Sequence, residues 1–488
     1  MIRRRGVLRG QSERTVLLGA ILLASALSAA TGYFLTQCLS VDVLSSLLYI
    51  PQDCFVDWGT NIGRHCFSDY AIVVDAGMQP NPWQHNGFTP PDGPPWRLAY
   101  PAAGVIPQMA FGFLGKWLGA PRLGLVCYLL ALTIAVLSPA VWAARGARDL
   151  ERAVVFVALG AAAIPAWAVI DRGNSAGFVV PIALVFLVAL CRRRWGLVTI
   201  MVILAALVKP QFAVLAVALF VVRQWRWGGL ALGGIAISNI GAYLLWPRDF
   251  PATIAQSIHN LPFSSSLAWL TDLRNLSVGR TLLLIPDAVE FSLTGGKIPE
   301  GFLAGTRPLI GYAVLALVVA CLLALGRRIP PVMAGIVLLA TATFFPAVVV
   351  AYYLIFVLPV AALVVRDPDG PAGAGVFDRL AIHGRRRRAI GIWVSLATAL
   401  SIAQVAVPIL YQVPTLGQLG VKGATTLLAV TTVPLTPILW LIACAVIIVS
   451  YARRPAPTPD GDPGTDPSTS EPITESPSRG LPGPSEAR

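Results

Sequence analysis

Few side chains in this 488-residue chain could do chemistry, because 56% of its residues are hydrophobic and only 12% are charged. The most suggestive acids are Asp69 and Asp75 in "HCFSDYAIVVDAG", residues 65–77, with Asp57 just upstream. Wound as a helix, this stretch puts Tyr70, Val73, Val74 and Gly77 on one face, expected to lie along a membrane surface. Asp69 falls at the edge of that face and Asp75 points towards solvent. A carboxylate at the mouth of a membrane cavity can act as a general base. The same "SD" before an apolar run is also a good helix N-cap.

The cationic candidates are spread along the chain. Lys209-Pro210 sits at the tip of an apolar hairpin, "LAALVKPQFAVLAVALFVVRQWR", whose arginines flank the other end. A lone lysine there is costly unless it snorkels to headgroups or meets an anion, and a lipid phosphate suits it. Pro210 breaks the helix and frees backbone groups to line a cavity. The turn "DRGNSAG", residues 171–177, joins two apolar runs with almost no linker and places Asp171, Arg172 and Asn174 at membrane depth, as catalytic groups or as a local Asp–Arg turn. "SIHNLPFSSSLAWLTDLRNLSVGR" supplies His259, Asn260, Asp272, Arg274, Asn275 and Arg280. Its arginines could grip a phosphate bidentately or be solvated loop charge. Tyr352 and Tyr353 open a later apolar run as interface aromatics or sugar-stacking groups, and Tyr100, in "WRLAYPAAGVIPQMAFGFLGKWLG", could shape a cavity wall. Pro101 and Pro107 break any span there, so that segment is expected to dip into the interface, with Trp96 and Trp117 in the aromatic belt. The four histidines show no metal-ligand spacing, so no metal site is expected.

What positions these residues is a stack of apolar runs. Stretches of about 20 apolar residues recur, the length a bilayer core requires, and they are too long and uniform for barrel strands. The reading is an all-α polytopic membrane protein of about twelve spans, with a range of ten to thirteen. They fall near 15–36, 122–143, 152–170, 175–191, 195–209, 210–223, 228–246, 307–326, 329–349, 350–365, 389–410 and 426–451. The short ones among them suggest broken helices lining a cavity. Two long loops interrupt the alternation, at 37–121 and 247–306, and a Pro/Ser/Thr-rich tail at 455–488 is expected to be disordered.

The net charge of +13 is a topology signal. The tail aside, one side of the alternating topology carries 23 Lys and Arg against 6 acids, while the opposite loops balance at 12 and 12. By the positive-inside rule both termini, including the basic residues 1–14, are cytoplasmic, and both long loops lie outside. No nucleic-acid partner is expected. The start resembles a signal peptide but reads as an uncleaved first helix. Cys54 and Cys66 share the first outer loop, as a disulfide or as two free thiols. Acids avoid the spans almost completely, which favours a membrane-embedded enzyme over a transporter or lipid flippase, the competing class.

Taken in order, "SDY" at 68–70, "AYPAAG" at 99–104, "RGNSAG" at 172–177, "VKPQF" at 208–212, "RNLSVG" at 274–279 and "AYYLIFVLP" at 351–359 resemble the GT-C superfamily of polyprenyl-phosphate-sugar-dependent glycosyltransferases. The likeness covers roughly residues 65–360 and is to the actinobacterial branch of phosphatidylinositol-mannoside mannosyltransferases and arabinofuranosyltransferases. It implies a GT-C fold over 15–454, with interfacial helices in the first outer loop, acting at the outer face of the plasma membrane. It implies inverting transfer of mannose or arabinofuranose from a polyprenyl-phosphate sugar to a cell-envelope glycan or glycolipid, with no cofactor and no metal required. Asp69 would be the base and Lys209 would stabilise the leaving phosphate with help from an arginine. Donor-binding roles fall on Arg172, Asn174, Arg274, Asn275, Arg280, Tyr352 and Tyr353, and cavity-lining roles on Tyr100 and His259. Mannosyltransferases of this branch often carry histidine at the late pair. Tyr352-Tyr353 looks more like the arabinofuranosyl side.

Overall fold

The computed structural model describes residues 11–48, 67–84, 97–261, 267–272, 274–296, 298–299, 301–414 and 425–453. Cys54, Asp57, Cys66 and Trp96 lie outside the described residues, as do the expected Cys54–Cys66 disulfide and the expected disordered tail. Besides the short helices Val43–Leu47 and Leu267–Thr271, the helices in chain order begin with α1 (Glu13–Leu39), α2 (Ser68–Gly77), α3 (Ala102–Trp117), α4 (Pro121–Ala144), α5 (Asp149–Phe156) and α6 (Ile164–Arg172). There follow α7 (Val179–Cys191), α8 (Trp195–Val208), α9 (Val217–Val221), α10 (Trp225–Ala242), α11 (Ala252–Asn260), α12 (Val278–Leu282) and α13 (Leu284–Leu293). The last are α14 (Thr306–Leu325), α15 (Pro331–Phe344), α16 (Val357–Val365), α17 (Val376–Ile382), α18 (Arg388–Ile402) and α19 (Thr436–Arg453).

With their flanking turns, α1, α4, α10, α14 and α19 are long and apolar enough to cross a bilayer, and the pair α5–α6, bent by 46°, makes a sixth candidate. Their large apolar side chains, such as Leu23 and Phe34 on α1, Ile134 on α4, Ile237 on α10 and Leu317 on α14, are exposed, as lipid-facing residues must be. The chain is therefore a membrane-embedded helical protein. Six shorter apolar helices of 10–17 residues fill the remaining predicted segments. Among them α15 and α16 are buried along nearly their whole length, at the centre of the main core.

Three short segments share one device. Ser175–Phe178 before α7, Pro210–Ala216 before α9 and Ala351–Phe356 before α16 are 3-10 turns that run directly into the helix. A 3-10 turn rises about 2.0 Å per residue against 1.5 Å in an α-helix. The combined lengths come to about 28, 22 and 26 Å, so the first and third approach the roughly 30 Å of a bilayer core despite so few residues and the second falls short of it. All three open at the end of the bundle away from the arginine-rich turns.

Two expectations fail here. The face of α2 carrying Tyr70, Val73, Val74 and Gly77 is buried within the protein, not laid on a membrane surface. It packs on α3, where Gly77 faces Met109 and Gly112 faces Val74 too closely for a larger residue at either glycine. The runs 389–410 and 426–451 are not helical throughout. After α18 the chain forms an antiparallel hairpin, β1 (Ala406–Pro414) and β2 (Thr425–Thr431), in the register Leu410↔Ala429 and Tyr411↔Leu428. Pro408 cannot continue a helix, and the β-branched residues around it suit a strand. The register slips between Ala406 and Leu410, beside that proline.

Pro101 ends the extended approach to α3, but Pro107, expected to break the segment, lies inside the 16-residue helix, which continues to an exposed Trp117. The described parts of both long loops pack together. Asn260 donates to the carbonyls of Trp83 and Leu98 at 3.0 Å, Trp246 donates to that of Gly77 at 2.9 Å, and Asn81 reaches Asp249 and Gln256.

Candidate functional site

Asp69 lies in the first turn of α2 but caps nothing, since the N-cap position is Phe67 and has no side-chain bond. Its carboxylate turns to the α6–α7 junction. Arg172 Nη2 donates to Oδ1 at 3.0 Å, and Asn174 Nδ2 donates to Oδ2 at 2.8 Å. Both members of the ion pair are largely shielded, at 16% and 15% side-chain exposure, so solvent screens it only in part. Arg172 thus pairs with Asp69, 103 residues distant in sequence.

The backbone makes this junction rigid. Gly173 closes α6 at φ +64°, a conformation glycine adopts without strain, and a Cβ there would meet Tyr70 Cβ at 2.9 Å. Its carbonyl accepts from the Tyr128 hydroxyl at 2.9 Å. Asn174 Oδ1 accepts from Ala176 N at 2.9 Å, which caps the next turn and aims the amide nitrogen at Asp69. Tyr70 stacks on Tyr128 with centroids 4.7 Å apart, and burial pushes its phenol up to about 12.

Lys209 is the C-cap of α8. Pro210 holds it extended, at φ −143° and ψ 111°, and so turns its side chain off the helix axis. The residue is 2% exposed and makes no ion pair among the described residues. Nζ lies 4.0 Å from the Tyr100 ring centroid and 5.7 Å from that of Tyr353. Tyr353 in turn stacks on Tyr352 at 4.8 Å, and the charge of Asp69 is felt at Lys209 and at both tyrosines. Asp69, Arg172, Asn174, Tyr100, Lys209, Tyr352 and Tyr353 therefore belong to one neighbourhood.

A cavity of about 80 Å³ adjoins it, walled by Arg172, Arg274, Tyr352, Gln404 and Tyr411. Gln404 lies after α18 within the run 389–410, whose apolar content predicts a membrane span, and Tyr411 lies just past its end. The available signal was a glutamine in the apolar run "SIAQVAVP". Gln404 is 1% exposed, and its Nε2 has no hydrogen-bond partner among the described residues. Arg274 is held by Asp272 at 2.7 Å and lies over Trp269.

The other candidates sit elsewhere. Asn275 is consumed structurally, bonding the carbonyl of Ala347 and the amides of Ser277 and Val349 at 2.9–3.0 Å. Arg280 is buried near the Arg307–Asp287 ion pair, and that burial pulls its guanidinium below its ordinary value. His259 is exposed on α11 and is not part of the cavity wall; Asp75 is exposed on the far side of α2. Among the described residues no three His, Cys, Asp or Glu side chains converge as a metal site would require. No protein-family model matches the chain, and no curated protein matches it significantly.

Proposed function

We propose that this chain is a GT-C-type glycosyltransferase that moves mannose or arabinofuranose from a polyprenyl-phosphate donor to a cell-envelope glycan or glycolipid at the outer face of the plasma membrane. The observation that carries the reading is the convergence of a carboxylate, two of its donors and a buried ammonium with its aromatic neighbours from five separated segments: Asp69, Tyr100, Arg172 with Asn174, Lys209, and Tyr352-Tyr353. Arg172 and Asn174 hold the Asp69 carboxylate in a fixed orientation. A carboxylate offers about four lone-pair sites, so capacity remains for an acceptor hydroxyl. In the transfer, the acceptor oxygen forms a bond to the anomeric carbon as its proton passes to Asp69. The bond from that carbon to the phosphate oxygen breaks, polyprenyl phosphate leaves with the electron pair, and the configuration inverts. Lys209 and an arginine of the cavity wall stabilise the charge that grows on the leaving phosphate. Tyr352 and Tyr353 offer faces for the sugar ring.

Asp69→Asn keeps the shape and can accept Arg172's bond but is no base, so it should lower transfer from a polyprenyl-phosphate donor by about 10²–10⁴-fold at unchanged expression. Normal transfer by that variant removes Asp69 from the mechanism.

A further inference from the structure

We infer that the arginine-rich end of the bundle carries a second site, for the phosphate-bearing headgroup of an anionic membrane lipid. A cavity of about 730 Å³ opens there, lined by Arg192, Arg193 and Arg194 of the α7–α8 turn and by Arg379 and Arg385 around α17. The one acid in its wall is Asp369. It lies across the length of α7 from the Asp69 site, and the inference does not depend on what that site does.

The charge is not cancelled locally. Asp369 accepts from Arg192 Nε at 2.8 Å and from Arg379 Nη1 at 2.6 Å, and Asp367 takes a second bond from Arg379 at 3.1 Å. The Arg379 fork also reaches the carbonyl of Cys191 at 3.2 Å, which ties α17 to the end of α7. Arg193 and Arg194 have no carboxylate partner among the described residues. Arg193 stands at φ +53°, a left-handed position more economically filled by glycine, and it brings a cation beside Arg385. Burial, with the charge of Arg193 added, holds the Arg385 guanidinium below its ordinary value. Like charges gathered round a concavity are favourable only when an anion enters it.

The positive-inside bias explains why arginines populate these turns, but not why turns more than 170 residues apart in sequence enclose a common cavity. Apolar side chains share its wall: Leu190 at the end of α7, Pro331 and Val332 at the start of α15, and Val376 and Leu380 of α17. Cations beside apolar side chains in one cavity fit a phosphate headgroup with its glycerol and upper acyl chain. Basic pockets between helices at a membrane surface bind such lipids.

The test uses the full chain in nanodiscs of phosphatidylcholine alone or of phosphatidylcholine with cardiolipin, and reads retained lipid by native mass spectrometry. Arg193→Ala with Arg194→Ala should weaken cardiolipin retention by about thirtyfold, at the surface value per arginine. Arg223→Ala with Arg226→Ala, exposed cations that do not line the cavity, should retain it as the parent does. Arg194→Gln alone serves if the double variant does not fold. A parallel arm adds pyrophosphate to the phosphatidylcholine discs. A rise in Tm that the pocket variant lacks, without cardiolipin retention, assigns the site to a soluble phosphate compound of the same chemistry. Equal retention by both variants, or no ligand in either arm, overturns the inference.

Discussion

Lys209 is the side chain whose placement needs most explanation. An ammonium that is fully buried, without an ion pair and against two phenol rings, is a costly arrangement. A cation over an aromatic face recovers about 2 kcal/mol when desolvated, less than the loss of hydration. The remainder is what an arriving phosphate would supply. Lys209→Met keeps length and apolar bulk while removing the charge. Its Tm should equal or exceed the parent's, while the KM for the polyprenyl-phosphate donor rises by about tenfold or more and that for the acceptor hardly changes. Equal effects on donor and acceptor would remove the phosphate role, and a large fall in Tm would make the lysine structural.

At the scale of elements, what aligns the aromatic pair is Asn275. Its amide and carbonyl, with the Leu276 N to Val349 O bond of 2.8 Å, clamp the entry to α12 against residues 347–349, immediately before the turn bearing Tyr352 and Tyr353. Asn275→Ala would strand two buried amides and a carbonyl, so it should destabilise by roughly 2–4 kcal/mol, measured as a fall in Tm, with transfer reduced as a consequence. Unchanged stability would refute the clamp. The sequence invited a donor-binding role for this residue because an asparagine amide suits a phosphate and a backbone pair equally well. Only the return of the chain 72 residues later decides between them. The same limit applied to α18 and the hairpin, where apolar content announced a membrane span while Pro408 and the β-branched run quietly specified strands. For Asp69, Arg172 and Asn174 the sequence marked each residue as a candidate but not their pairing: a local Asp171–Arg172 turn fitted the motif equally well, and only the fold brings residue 69 beside residues 172 and 174.

For the whole molecule, the charge bias and the packing agree on two distinct ends. Arg14 with Glu151, Arg386 and Arg388 with Glu13, and Arg192 and Arg379 with Asp369 bind the basic turns to one another at one end. Asp69, Lys209, Arg274 and the packed loop segments 68–84 and 243–260 gather at the other. For the transfer proposed above, which end meets the cytoplasm determines the donor: a polyprenyl-phosphate sugar presented outside, or a nucleotide sugar available only within. By the positive-inside rule, the 23-to-6 excess of basic over acidic residues on one side predicts a cytoplasmic position for that side. In a cysteine-free background, Asp75→Cys, exposed on α2, should react with a membrane-impermeant maleimide in intact cells. Arg327→Cys, exposed in the turn after α14, should react only once the membrane is permeabilised. The reverse pattern would put Asp69 in the cytoplasm and, with it, withdraw the polyprenyl-phosphate donor, because the phosphate expected at Lys209 would then be presented from the other leaflet.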